Sequence, residues 1–366
     1  MYKRQVYIGT WEVRCPYCSK YTPLVGNWWL ARVKGSRGFE SLAWMTPAKV
    51  EDGVEVRVNQ VRDPKELQLA RTVTKGGRAV GIEVDGRRVT VGDPALGGEP
   101  NVDARNSRAT CLYCYAEISG VRDRWYVKEA LREWNEKLEK YLNGEIDLEE
   151  LKHSPARPRI LVKVKIIDRD LVFEPAARED NEKLWRALEK LKAMWGDPDI
   201  PTEPIPPYGS RYLFPILYGF DRWYRLFNPR QLITLVKLTK LIKEAGKRIE
   251  EELKEGWTRE DAHKYAEAVT TYLAIALIRL VNFNSTVTTW YSGSLLTNKV
   301  QSSLSFRGLA MTWNWCDTNV LYEEGNQYSI KSNINSIVRA LNYLVSAVSG
   351  SPSRVCLLYT SDAADE

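Results

Sequence analysis

Cys15-Pro16-Tyr17-Cys18 and Cys111-Leu112-Tyr113-Cys114 decide how this chain reads. Two cysteines separated by two residues in a tight turn can aim both thiolates at one tetrahedral ion, and two such knuckles close a four-sulfur site. A closed site leaves no position for a substrate water, so its ion is structural, and thiolate ligands in this spacing point to zinc. The alternative is four buried free thiols or a redox pair. The 92 residues between the knuckles exceed ordinary ribbon spacing, so a β-rich stretch is expected as an insertion on a zinc ribbon. Ribbon knuckles often place Gly after the second Cys, whereas this chain has Ser19 and Tyr115. A structural zinc here would contribute on the order of 10 kcal/mol to folding.

Working outward, residues 6–125 are rich in β-formers and glycine and form the expected zinc ribbon with its insertion. Within them, Asp85-Gly86 between Val84 and Val89 predicts a hairpin turn. Residues 126–208 read as a mixed α/β segment. A charged helix is expected near 126–142, a half-exposed strand over 159–173 and a second charged helix over 179–195. Five prolines in 196–208 then predict a linker. Residues 209–355 read as a helical domain. Asn228-Pro229-Arg230-Gln231 is a helix start with a capping Asn, Pro at the first position and Gln at the third. That helix is expected to run toward Leu253, with Gly246 as a candidate break. Thr258 opens the next helix, whose stretch 272–281 is apolar nearly all round and is expected at the centre of a helical core. A final amphipathic helix carries Ile334, Ile337, Val338, Leu341, Leu344, Val345 and Val348, with Gly350 beyond it. The fold class is therefore α+β, with a zinc-ribbon, β-rich N-terminal half and a helical C-terminal half.

Composition narrows the function classes. The 366 residues carry a net charge of +6, which permits a nucleic-acid partner without demanding one. Four of the six cysteines lie in the two pairs, which suits metal binding in a reducing cytoplasm better than a disulfide framework. Cys316 reads as a small buried side chain. With two histidines, His153 and His263, neither near a ligand or nucleophile in sequence, a histidine-based hydrolase is not expected. The strongly apolar run 272–278 is too short to span a bilayer, so no membrane partner is expected. No phosphate-binding glycine loop is encoded. Ile205-Pro206-Pro207-Tyr208 lacks the leading Asp or Asn that an amino-methyltransferase motif needs, and it is not read as catalytic.

The two ends read as something other than protein. CLLYTS within residues 356–366 translates TGT-CTC-TTA-TAC-ACA-TCT, and the reverse complement, started at GTG, gives the MYKRQ of residues 1–5. One inverted oligonucleotide, resembling the transposon end used to fragment DNA for sequencing, accounts for both. The expectation is that residues 1–5 and 356–366 are adapter-derived and that 6–355 is an internal piece of a longer frame.

The helical half also carries a family resemblance. Residues 222–232, Arg-Trp-Tyr-Arg-Leu-Phe-Asn-Pro-Arg-Gln-Leu, look like the "dLFtpRQLl" segment of large prokaryotic adenine-specific DNA methylases. In the same order, residues 11–18 with Pro23-Leu24 and Trp28-Trp29-Leu30 resemble the family's "W-R-CP-C … PL … WWL". Residues 203–209 resemble its "P-E-IP … YG". Phe283-Asn284-Ser285 with Trp290, and residues 311–319, resemble its "NS … W" and "M-WDF-E-N". Asn314 and Asp317 stand where the family has Asp and Glu, and Val320 where it has Pro. The resemblance implies a parent with an α/β Rossmann-like methyltransferase fold. In that family an S-adenosylmethionine loop lies upstream of this region and a D-P-P-Y motif downstream. This chain would fill the target-recognition slot between them, without methyl transfer of its own, and would work with double-stranded DNA and the remainder of the parent chain. The basic and aromatic groups interleaved in 222–225 and 122–126 suit phosphate contact and stacking, which makes Arg222, Trp223, Arg225, Arg230 and Arg124 the candidate nucleic-acid residues. A stand-alone zinc-ribbon nucleic-acid-binding protein is the competing expectation.

Overall fold

Strand β1 (Arg4–Arg14) is the spine of the molecule, in a computed structural model that describes residues 4–121, 124–168, 170–206, 213–293, 299–305, 308–322 and 328–347. Along one edge β1 pairs with β12 (Ala156–Ile167), which turns back into β13 (Asp170–Pro175). Its other edge is shared by two strands laid end to end. β2 (Tyr21–Pro23) takes Glu12 to Arg14, and β16 (Asn314–Thr318), from close to the end of the described chain, takes Val6 to Thr10. Beyond β2 the sheet continues through β5 (Gly53–Val61), β4 (Gly38–Val50) and β3 (Trp29–Gly35). Gly9 is needed where β1 meets β16. The Trp315 indole lies across it so closely that an added Cβ would sit inside the ring.

Alternation along β1 separates two cores, as a strand's period of two requires. Tyr7, Trp11 and Val13 face α2 (Tyr126–Leu142), α4 (Arg178–Ala193) and the first turns of α5 (Pro229–Glu252). Val6 and Ile8 face a second core with Trp28, Trp29, Trp44 and Trp290. On that side lies a small sheet of β6 (Arg71–Lys75), β7 (Arg78–Val84) and β8 (Arg87–Thr90). The short helices α1 (Pro64–Leu69) and α3 (Leu148–Lys152) and the strand pair β14 (Thr289–Tyr291) and β15 (Lys299–Gln301) complete this half and its links. The molecule is thus α+β, β-rich in its N-terminal half with helices toward the C-terminus.

Several local expectations hold. The β7–β8 turn has Asp85 and Gly86 at φ 49° and 72°, the hairpin geometry that Asp-Gly favours. Asn228 accepts from the amides of Arg230 and Gln231 while Gln231 Oε1 accepts from Asn228 N, a complete capping box. Thr258 caps α6 (Arg259–Phe283) through Asp261 N.

Others need correcting. The single strand expected over 159–173 is two, because Asp168 turns the chain at φ 51°. Gly246 does not break α5. An added Cβ there would lie 2.8 Å from Thr270 Cγ2, so the glycine lets α6 pack close. The apolar stretch of α6 is not a core centre. Tyr272, Ile275 and Ile278 are exposed, and only 17% of its most apolar 18-residue window is buried. With its full length counted, α6 is the one described helix long and apolar enough to cross a membrane, by length and composition. The stretch 209–355 is not helical throughout, since β14, β15 and β16 lie within it and β16 joins the main sheet. On α7 (Ile330–Ala347), Val338, Leu344 and Val345 are exposed, and Val348 and Gly350 lie outside the described residues, as do 1–3 and 356–366.

Candidate metal centre

Each cysteine pair sits at the tip of an antiparallel hairpin. β1 and β2 carry Cys15 and Cys18; β10 (Arg108–Thr110) and β11 (Glu117–Ser119) carry Cys111 and Cys114, with β9 (Val102–Asp103) alongside β10. The two turns share one backbone pattern. In the first, Ser19 N donates to Cys15 O and Cys15 N to Lys20 O. In the second, Tyr115 N donates to Cys111 O and Cys111 N to Ala116 O. Both need a left-handed residue after the second cysteine, and Ser19 and Tyr115 supply it at φ 61° and 63°. That explains why glycine is common at this position and why a non-glycine there is strained by about 1–2 kcal/mol.

The hairpins bring all four sulfurs within 4.8 Å of one another. Cys15 and Cys114 Sγ are 3.8 Å apart, as are Cys18 and Cys111 Sγ. A regular tetrahedron with 3.8 Å edges has its centre about 2.3 Å from each vertex, the length of a zinc–thiolate bond; here two opposite edges have that length and the others stay within 4.8 Å. The arrangement fits a metal ion held by sulfur alone. Burial pushes the Cys111 thiol up to about 12, against the pull of the Cys114 and Tyr113 amides, and raises Cys15 as well. At the more open Cys114, burial is outweighed by the Ala116 amide and the neighbouring cysteines, and the thiol is lowered. An ion entering this site must therefore displace protons, and loading improves as pH rises.

Buried polar side chains that no local sequence pattern announces hold the two hairpins together. Thr22 Oγ1 accepts from Leu112 N at 3.0 Å. Asn101 Nδ2 donates to Pro23 O and Thr110 O, and its Oδ1 accepts from Val25 N. Beside the first knuckle, buried Glu12 holds Arg157 at 2.6 Å and Arg159 at 2.9 Å. Burial opposes the Glu12 charge, but Arg159 and Arg157 overcome it and lower the carboxyl below its ordinary range. All these partners are far apart in sequence, so no local pattern reveals them.

The candidate nucleic-acid residues differ in exposure and in partners. Arg225 is buried and engaged by Glu139, by Asp221 at 2.6 Å and by the Gly219 carbonyl, so its guanidinium faces protein. Arg230 lies over the Tyr7 ring and pairs with buried Asp317 at 3.3 Å. These two line a cavity of about 290 Å³ with Thr318 and Asn284. Arg222 donates to Thr202 O at 3.0 Å beside partly exposed Trp223. Arg124 is exposed, next to fully buried Trp125, while Arg122 and Asp123 lie outside the described residues. Cys316 is buried, as expected. His263 pairs with Glu250, His153 contacts its own helix at Glu149 O, and neither joins the sulfur cluster. Compared with known protein families, with curated proteins and with solved structures, the chain matches none.

Proposed function

We propose that this chain is the target-recognition region of an S-adenosylmethionine-dependent adenine-specific DNA methyltransferase, with a structural zinc ion at Cys15, Cys18, Cys111 and Cys114. One observation supports the methylase reading: three of the segments on which the family resemblance rests, 222–232, 283–285 and 311–319, are hydrogen-bonded to one another. Gln231 Nε2 donates to Cys316 O and Asn284 Oδ1, and Thr318 N donates to the same Asn284 oxygen. The zinc reading rests on four sulfurs at tetrahedral spacing with no open ligand position, and such a site keeps its ion in a reducing cytoplasm.

In this reading the region grips duplex DNA while the target adenine is turned out of the stack into a pocket elsewhere in the parent enzyme. The test is to recover the gene from unfragmented DNA and assay its full product for transfer of a labelled methyl group. A D-P-P-Y or N-P-P-Y motif after a strand within about one hundred residues of position 355, together with label on adenine, supports the proposal. A stop codon soon after that position, with DNA binding retained, replaces it with the stand-alone zinc-ribbon protein.

A further inference from the structure

We infer that the phosphodiester backbone of nucleic acid is held in the groove between β3, the β6–β7 hairpin and the 98–105 loop, with Arg32, Arg78 and Arg105 as its cations. This rests on the nucleic-acid reading above and gives it a contact surface that the sequence did not suggest.

The groove has a volume of about 730 Å³ and is lined by these three arginines together with Asn27, Trp29 and Trp313. Two carboxylates also line it, and both are occupied. Glu99 is held by Lys75 at 3.2 Å. Asp103 accepts from Asn106 Nδ2 at 2.7 Å and from the amides of Arg105 and Asn106. Among the described residues the three arginines make no direct ion pair, and Arg78 acts on Asp103 only at longer range, adding to the Asn106 side chain in lowering its carboxyl. Arg32 lies over the Trp29 ring at 5.3 Å, and its Nε is enclosed with no hydrogen-bond acceptor. A guanidinium fixed on an aromatic face with no carboxylate to offset it is well suited to phosphate.

The ground beside the groove has the same sign. Residues 71–90 form the small β6–β7–β8 sheet and contain Arg71, Lys75, Arg78, Arg87 and Arg88 against Glu83 and Asp85, a net +3 out of +6 for the whole chain. All five cations are exposed. Half of the chain's net charge is thus concentrated in 20 residues at one wall of a polar groove, whereas a merely solvated surface would have it dispersed.

The opposite wall is continuous with the sulfur cluster. Asp103 fixes the turn that presents Arg105, and Val102 of β9 pairs with Ala109 of β10, which runs directly into Cys111. Strand β10 thus connects the turn that presents Arg105 to the second cysteine pair.

The test uses the full chain and a fluorescein-labelled DNA duplex, with binding followed by anisotropy over a salt series. Arg78→Ala/Arg105→Ala removes two exposed charges from the groove. Arg178→Ala/Arg186→Ala removes two from the outer face of α4 as a matched control, and melting curves check that each variant is folded. The groove variant is expected to lose about tenfold or more in affinity, and its log–log salt slope to fall by about 2, with the control unchanged. If the groove variant binds with wild-type affinity and slope, the groove assignment is overturned while the nucleic-acid reading stands. If the wild-type, metal-loaded chain does not bind the duplex at all, that reading falls and takes the groove with it.

Discussion

Replacing Cys114 by serine is the sharpest test of the sulfur cluster. Cys114 is the exposed ligand, so its loss opens no cavity in the core, and any change in stability reports the metal bond alone. Two sulfur–sulfur distances of 3.8 Å, with all four sulfurs within 4.8 Å of one another, frame a space for one ion, and zinc–thiolate bonds are about 2.3 Å long. X-ray absorption on zinc-loaded wild-type protein should then show four sulfur scatterers at about 2.3 Å and no nitrogen or oxygen in the first shell. In Cys114→Ser the shell should fall to three sulfurs plus one oxygen at about 2.0–2.2 Å, with zinc held far more weakly. A structural zinc closing the site would contribute on the order of 10 kcal/mol, so chelation should lower the wild-type melting temperature steeply. With chelator present, wild type and variant should melt together, since the Cys114 side chain then contributes little. An imidazole or carboxylate in the wild-type first shell, or a melting temperature indifferent to chelator, would refute the reasoning.

Three further outcomes are expected. Gly9→Ala forces a methyl group into the space of the Trp315 ring and should cost about 1–3 kcal/mol in urea unfolding; a neutral result would mean that β1 and β16 are not in this register. Glu12→Gln leaves Arg157 and Arg159 facing a neutral amide in a buried site and should cost about 3 kcal/mol near neutral pH. Because the folded Glu12 carboxyl is lowered, its contribution is present above the ordinary Glu value of about 4.3 and is lost as pH falls below it. Wild type and Glu12→Gln should accordingly converge in acid, and a gap independent of pH would contradict the ion pairing. Asn228→Ala removes the acceptor for two first-turn amides and a bond to Asp317, and should cost about 2 kcal/mol, with faster hydrogen exchange at Arg230 and Gln231. Unchanged exchange there would argue against the cap.

What was legible in the sequence was local. The Asn228 capping box, the Asp85-Gly86 turn and helix α2 are each specified within a few residues, and each formed as read. The cysteine spacing likewise reported the sulfur cluster, because each turn by itself brings its two thiols to one side. Pairings across long separations were not legible. Nothing near Trp315 announces that its strand lies against Gly9, and nothing near Arg225 reveals the carboxylates of Glu139 and Asp221 that occupy it. The misreading of α6 has a different cause. Apolar content all round a helix says that it avoids water, but not whether its neighbours within one chain are enough to cover it.

The seam between β1 and β16 also has a consequence for biosynthesis. Val6 pairs with Thr318, so β1 waits after its synthesis for a strand made 312 residues later. At about 5–20 residues per second, that delay is roughly 15–60 s, during which one flank of the nascent strand has no partner. Chaperones that shield extended apolar segments should matter more for the yield of this protein than for one whose sheet closes between neighbouring strands.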